Sequence, residues 1–281
     1  MADTNISEKD KYSILMPVYK KDNPEWLKIS IDSMLVQTVR AAEFVIVKDG
    51  PLTLELETIL SDYTNQYPGL FKTVGFEKNV GLGKALAYGV EQCSNEFIAR
   101  MDADDYAVPE RCEKQLVKFM EEDFLDIIGS NVEEFTGDIS NTVSCVVLPE
   151  TNEEAVKFAK KRCPVRHPAL MYKRSRVLKA GNYRDYRHAQ DYNLMVHMIL
   201  NGCRIYNIQE VLTRMRVNAD FYKRRGGLEQ LKLVLRLKKE FLDYGFYSPG
   251  DFVVSAFGNA LVCLMPNYLR GMFYKKLLRR K

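Results

Sequence analysis

Glu96-Phe-Ile-Ala-Arg-Met-Asp-Ala-Asp-Asp105 is a short apolar stretch that runs straight into three carboxylates within four residues. The apolar part is too short for a helix and reads as a buried strand. Upstream lie two further stretches of the same kind. Tyr12-Ser-Ile-Leu-Met-Pro-Val18 ends in a proline-containing turn, and Glu43-Phe-Val-Ile-Val-Lys48 ends in Asp49-Gly50-Pro51. Helical spacing fills the gaps between them: Leu27, Ile31, Met34 and Leu35 in Pro24 to Gln37, with Asn23 as N-cap, and Leu82, Ala85, Leu86, Gly89 and Val90 in Gly81 to Cys93. A helix ending near Leu60 and a strand near Phe71 to Phe76 complete the series. Strand and helix alternate, and the strands are apolar nearly throughout. That pattern predicts an α/β fold with a mostly parallel sheet covered by helices on both faces. Ligands of such sheets bind beyond the carboxyl ends of the strands. Pro17-Val18-Tyr19, Asp49 and Asp102 to Asp105 all fall there.

Downstream, the spacing predicts helices from Pro109 to about Glu122, Thr151 to Lys161, Ala189 to Leu200 and about Leu228 to Tyr244. Strands are expected at Asp126 to Gly129, Ala169 to Tyr172, Cys203 to Ile208 and Val211 to Val217. The chain of 281 residues allows one large domain with an extension. We expect one domain over 1–220, with a first part at 12–105 and a second at 106–220, and a helical basic extension over 221–281. Charge is split along the chain. Residues 1–150 hold 14 Lys/Arg against 27 Asp/Glu, and residues 151–281 hold 27 against 10. An acidic half suits a cation and a basic half suits polyanions. Six scattered cysteines without a C-x-x-C pair argue against a zinc ribbon or a disulfide framework. No apolar run is long enough to span a bilayer, and the first twelve residues lack a signal-peptide core, so a cytoplasmic location is expected.

Three carboxylates crowded at a strand end repel one another unless a cation or hydrogen-bond donors neutralise them. Hard oxygen ligands without nearby His or Cys suit Mg²⁺ or Mn²⁺. The competing reading is a solvated acidic turn ahead of the helix at Pro109. The Gly81-x-Gly83 turn is not a dinucleotide fingerprint, because residue 86 is Leu where a third Gly is required.

Seven stretches in this order and spacing resemble the family 2 glycosyltransferases of GT-A fold, within them the amylovoran and capsular polysaccharide enzymes. They are Ser13-Ile-Leu-Met-Pro-Val-Tyr19, Lys48-Asp-Gly-Pro51, Lys78-Asn-Val-Gly-Leu-Gly-Lys84, Ala99-Arg-Met-Asp-Ala-Asp-Asp105, His167-Pro-Ala-Leu-Met171, Ala180-Gly-Asn-Tyr183 and Gln190-Asp-Tyr192. The resemblance implies that Pro17, Val18 and Tyr19 line the nucleoside pocket and that Asp49 meets the uracil. It implies donor contacts for Asn79 and Lys84, a ribose contact at Asp102 beside Ala103, and a metal ligand at Asp104. Asp191 matches the family's catalytic base. Two positions depart from the pattern: Lys48 and Gln190 stand where acids are common. His167, Gln190, Arg216, Arg224 and Arg225 are candidates for diphosphate or acceptor contacts, each equally readable as structural or solvated.

The implied activity is inverting transfer of a hexose, galactose or glucose, from a UDP-sugar to a polyprenyl-diphosphate-linked saccharide in surface polysaccharide synthesis. Arg270 to Lys281 carries six basic and no acidic residues. After the apolar run Phe252 to Met265, it reads as a contact to the anionic inner face of the cell membrane. Two rivals stay open. A sugar-phosphate nucleotidyltransferase would carry a Gly-rich loop after the first strand, where this chain has Tyr19-Lys-Lys-Asp22. A nucleic-acid binder could use the basic half, although it shows no reading motif.

Overall fold

The computed structural model describes residues 11–186, 188–217 and 227–266. Among them nine strands form one sheet. Four parallel strands make its first half: β1 (Tyr12–Val18), β2 (Glu43–Lys48), β3 (Phe71–Gly75) and β4 (Phe97–Arg100), in the order β3-β2-β1-β4. Beyond β4 the sheet turns mixed. β8 (Met171–Lys173) pairs antiparallel with both β4 and β6 (Ile127–Phe135), and β6 runs parallel to β9 (Ile205–Arg216). The two-residue β5 (Tyr106–Ala107) adds to β9, and β7 (Thr142–Val146) adds to β6. Strict parallel order is therefore confined to β1–β4.

Alternation along the strands divides the core in two. Ile14, Met16, Phe44, Ile46 and Ala99 pack on one face against α1 (Pro24–Leu35), α2 (Leu54–Gln66) and α4 (Arg111–Glu121). Leu15, Val45, Val47 and Ile98 pack on the other against α3 (Leu82–Gln92), α6 (Arg174–Lys179) and α7 (Gln190–Leu200). The helix starts follow local chemistry. The Asn23 side chain accepts from the Trp26 N–H at 3.1 Å with Pro24 in the first turn, and Thr151 and Glu154 close a capping box on α5 (Asn152–Ala159).

Two expected strands, Cys203 to Ile208 and Val211 to Val217, are one strand, β9. Irregularities in its register with β6 between Ser130 and Val132 absorb the polar Gln209-Glu210 pair that reads as a break.

The expected basic helix is α8 (Leu228–Asp243), followed by α9 (Pro249–Leu264). The boundary expected near residue 220 lies in 218–226, outside the described residues, as do the basic residues 267–281. α8 packs onto α7 through Leu237 and Phe241, which join Tyr192 and Val196 in a buried cluster. Lys238 is buried with them, its Nζ donating to the hydroxyls of Tyr192 at 3.0 Å and Tyr247 at 2.7 Å. Burial pushes its ammonium down to about 7. In the unfolded chain a lysine titrates at about 10.4. Between those values the unfolded state holds a proton that the folded state lacks, so folding stability rises as the pH climbs through that window. From pH 7 to pH 9, wild type should gain about 2 kcal/mol relative to Lys238→Met, an increase of about 4 °C in the difference between their melting temperatures. Parallel melting-temperature profiles for the two proteins would refute this.

Candidate active site

Three strand ends meet at the carboxyl edge of the parallel half. The Asp49 N–H donates to Val18 O at 2.8 Å, and the Met101 N–H donates to Leu15 O at 3.0 Å. From α1, the Ser30 hydroxyl donates to Asp102 O at 2.7 Å and fixes the start of the acidic turn. The side chains of Pro17, Val18 and Ala103 are buried, the last two in the core, while Tyr19 is 39% exposed at the rim. Of the three residues of this turn expected at the nucleoside, Pro17 and Val18 are buried and Tyr19 is exposed.

Asp49 has a second task. Its carboxylate accepts the Val80 N–H at 2.7 Å, the Gly81 N–H at 3.2 Å and the Asn79 side-chain amide at 2.9 Å. It thereby folds the Lys78–Lys84 turn onto the end of β2. Gly50 allows this approach, since a Cβ there would lie 2.6 Å from Asn79 N. Lys84 is exposed and paired with Asp185 at 2.8 Å.

Asp102, Asp104 and Asp105 each offer a carboxylate oxygen, and these oxygens lie within 4.8 Å of one another. Their surroundings differ. Asp102 is paired with Arg100, a guanidinium buried in β4. Asp105 is buried and accepts the Arg216 N–H at 2.7 Å. The Asp104 carboxylate has no such bond to Arg100 or Arg216; its backbone oxygen alone meets Arg216. Burial first, then the neighbouring Asp102 charge, pushes Asp104 up to about 6, against the pull of Arg100 and Arg216. Burial, then Asp104 and Asp102, holds Asp105 well above the carboxylate range. Acids that resist ionising together form a site that a cation would relieve. All the donors are hard oxygens, which suits Mg²⁺ or Mn²⁺. The Arg216 Nε donates to Asp104 O at 3.1 Å, and its guanidinium lies over the Trp26 ring at 4.3 Å. Arg216 is thus placed at the cluster. Arg224 and Arg225 lie outside the described residues.

The sequence reading did not single out several members of the site. Asp22 accepts the Tyr19 N–H at 2.8 Å, and burial, with the Asp104 and Asp102 charges, pushes it up to about 7. Arg111 is fully buried and donates to Arg100 O at 2.8 Å and to Leu170 O at 3.0 Å, bracing the end of β4. The signal for Arg100 was present as a charge inside an otherwise apolar strand.

His167 is buried, in a hydrogen bond of 2.9 Å to the Tyr183 hydroxyl. Burial, then the Arg100 charge, holds its imidazole well below its ordinary value, so it is neutral at physiological pH. Tyr183 also bonds the Tyr172 hydroxyl at 3.4 Å and lies within electrostatic reach of both Asp191 and Asp102. Burial, then the charges of Asp191 and Asp102, hold its phenol up, while Tyr172 and Arg100 lower it.

Asp191 stands in the first turn of α7, partly exposed. Its charge and a hydrogen bond also act on the half-buried Cys163 thiol. The helix start is strained: Ala189 is left-handed with φ 66°, rare for a residue bearing a Cβ. Gln190 beside it is buried, its Oε1 without a hydrogen-bond partner among the described residues.

The loop before α7 is gripped from α8. Glu240 accepts from Arg184 at 2.6 Å, Asn193 at 3.0 Å and His197 at 2.9 Å, and from the Tyr186 hydroxyl. Burial alone would raise Glu240, but the bonds from Tyr186, His197 and Asn193 and the Arg184 charge hold it below its ordinary value. The same loop touches the donor side. A Cβ on Gly83 would collide with Arg184 O, and Lys84 pairs with Asp185. Nothing in the sequence of α8 marked Glu240, because its partners lie 43 to 56 residues away. Glu240→Ala leaves several buried donors unpaired and should cost about 3 kcal/mol in chemical denaturation, with a lower turnover. An unchanged denaturation midpoint would show that the network holds nothing in place.

Residues 13–179 match the model of glycosyl transferase family 2. The chain belongs to this family. It is 33% identical to the UDP-Gal:alpha-D-GlcNAc-diphosphoundecaprenol beta-1,3-galactosyltransferase of Escherichia coli, over 96% of this chain and 97% of that one. It is also 33% identical to the amylovoran biosynthesis glycosyltransferase AmsE of Erwinia amylovora, over 84% and 88% of the two chains. Among solved structures, S. aureus TarS 1-349 in complex with UDP-GlcNAc superposes with a TM-score of 0.69 at 18% identity, covering 95% of this chain and 76% of that one. The mannosyltransferase PcManGT of Pyrobaculum calidifontis, in complex with GDP-Man and Mn2+, superposes with a TM-score of 0.63 at 13% identity, covering 92% and 72%. The fold is the GT-A fold, and the enzyme is a glycosyltransferase. Neither rival, the nucleotidyltransferase or the nucleic-acid binder, gains support.

Proposed function

We propose that the enzyme transfers a hexose from a UDP-sugar, galactose or glucose ahead of N-acetylglucosamine, to a lipid-diphosphate-linked saccharide, with inversion at the anomeric carbon. The observation that carries this reading is the division of the site. A carboxylate cluster lies at the strand ends and a separate carboxylate, Asp191, lies at the start of α7, and both act on Tyr183. Single displacement needs such a division, because the leaving group and the attacking hydroxyl occupy opposite faces of the sugar.

In this reading the Pro17–Tyr19 turn and the Asp49–Asn79 pair frame the nucleoside, Asp102 meets the ribose, and Lys84 reaches the donor from α3. Asp104 would hold the divalent cation, with Asp102, Asp105 and Asp22 at hand. Bound there, Mg²⁺ or Mn²⁺ supplies charge neutralisation for the departing diphosphate. Arg216 adds a fixed cation on the same side. Asp191 takes the proton of the acceptor hydroxyl as that oxygen attacks. Gln190 and His167 shape the surroundings, and neutral His167 adds no charge.

The donor and acceptor in the E. coli relative's name, UDP-Gal and a GlcNAc-diphosphoundecaprenol, support the hexose and the lipid-linked acceptor. No described helix is long and apolar enough to cross a membrane. The lipid-linked acceptor places the enzyme against the inner face of the cell membrane, at a polysaccharide assembly step. The test is a donor screen by UDP release with Mn²⁺ or Mg²⁺ and a synthetic lipid-diphosphate N-acetylglucosamine acceptor. Acceptor-dependent release from UDP-galactose or UDP-glucose is expected. Release from neither, or from a GDP-sugar instead, would refute the assignment.

A further inference from the structure

α9 carries an exposed apolar stripe. Val253 is 64% exposed, Val254 75%, Phe257 66%, Leu261 55% and Leu264 59%. Spacings of three, four, seven and eight residues set them on one side of the helix. Asp251, at the N-terminal end, is the sole charged residue of the helix. It is held by Lys160 at 2.7 Å, away from the stripe. The opposite side is occupied: Phe252 packs on the cluster of Phe241, Phe246 and Tyr247, and Cys263 is buried. A capping box from Ser248 and Asp251, with Pro249 in the first turn, sets the helix without help from any partner. Five large apolar side chains more than half exposed along about three turns exceed the scattered surface hydrophobics of an ordinary soluble face.

We infer that this stripe is the surface by which the enzyme lies on an anionic lipid bilayer. Two observations select lipid over a protein partner. The sequence after the stripe, residues 267–281, holds six basic and no acidic residues, with Leu, Met, Phe and Tyr between them. That is the composition of a segment drawn to anionic headgroups. The stripe is also joined to the site. β9 ends at Arg216, which binds Asp104 and Asp105, and after a short connection Gly227 donates to Cys263 O at the far end of α9 at 2.9 Å. The inference rests on the lipid-linked acceptor proposed above: an enzyme lying on this face would meet its acceptor where the lipid keeps it.

The experiment sediments the 281-residue chain with vesicles of phosphatidylglycerol and phosphatidylethanolamine, beside the double variant Phe257→Glu/Leu261→Glu. Both positions are exposed, so folding is expected to be intact, and circular dichroism checks it. Wild type should sediment with the vesicles, and the variant should partition at least about tenfold less. Transfer to a vesicle-embedded acceptor should fall in parallel, and transfer to a water-soluble short-chain acceptor should not. Equal partitioning of the two proteins would overturn the inference. So would a wild type that stays in the supernatant, or a self-associating chain whose dimer the substitutions break without any vesicle binding. If wild type glycosylates neither acceptor while partitioning still follows the stripe, the acceptor assignment fails and the membrane surface stands.

Discussion

Asp191→Asn should reduce transfer by about 10³-fold or more while leaving UDP binding within about twofold of wild type. Asparagine has nearly the volume of aspartate, so the start of α7 keeps its packing. What it loses is the ability to accept a proton. An acceptor hydroxyl is a weak nucleophile at neutral pH, and without a base its proton must leave to water. The substitution also removes the charge that, after burial, helps to raise Tyr183 and the half-buried Cys163 thiol. Ala189 lies two residues before this position, and Asn193 and His197 of the Glu240 network lie after it on the same helix. Turnover measured by UDP release, with binding measured by calorimetry, separates the two roles. A variant that retained a tenth of wild-type turnover would remove Asp191 as the base. A variant that lost UDP binding as well would show a structural role instead.

The parallel half of the fold was legible because its determinants are local. Buried strands such as Ile14 to Val18 and Val45 to Val47 are apolar residue after residue, and Asn23-Pro24 marks a helix start. The acidic cluster was legible for the same reason, since its members are neighbours in sequence. The elements that escaped depend on distant pairing. Tyr106–Ala107 is a strand solely because Thr213 and Arg214 of β9 lie beside it. Thr142–Val146 is half polar and becomes a strand by closing a bulged hairpin on β6. Arg174–Lys179 is too short to show helical periodicity. Within the site the same distinction holds. Asp49 was expected to face a base, and its position at the strand end was readable. Its grip on the Val80 and Gly81 amides, 31 and 32 residues on, was not. Glu240 is one of three acids in a helix of mixed charge, and its worth lies in four partners from other parts of the chain.

Asp104→Ala should weaken metal-dependent UDP binding by about 10- to 100-fold, with little change in binding measured without the metal. The reason lies in how differently three adjacent acids are held. Arg100 neutralises Asp102, and buried Asp105 is tied to the backbone of Arg216, where it joins β9 to the turn. Removing either acid would leave a buried donor or cation without its partner, and the loss would appear as instability. Asp104 carries neither tie, and burial together with Asp102 already disfavours its charge. Alanine there should relieve repulsion in the empty site, so a melting temperature equal to or slightly above wild type is expected. The same change removes the oxygen that a divalent cation would take, and the donor diphosphate then binds to Arg216 and the backbone alone. Loss of metal-linked affinity without loss of stability is the signature of a ligand held ready by its neighbours. Calorimetric titration of UDP with and without Mn²⁺, paired with melting curves of the free variant, reads both quantities. Full affinity in the presence of Mn²⁺ would sink the assignment of Asp104. A large drop in melting temperature would mean that it braces the turn as Asp105 does.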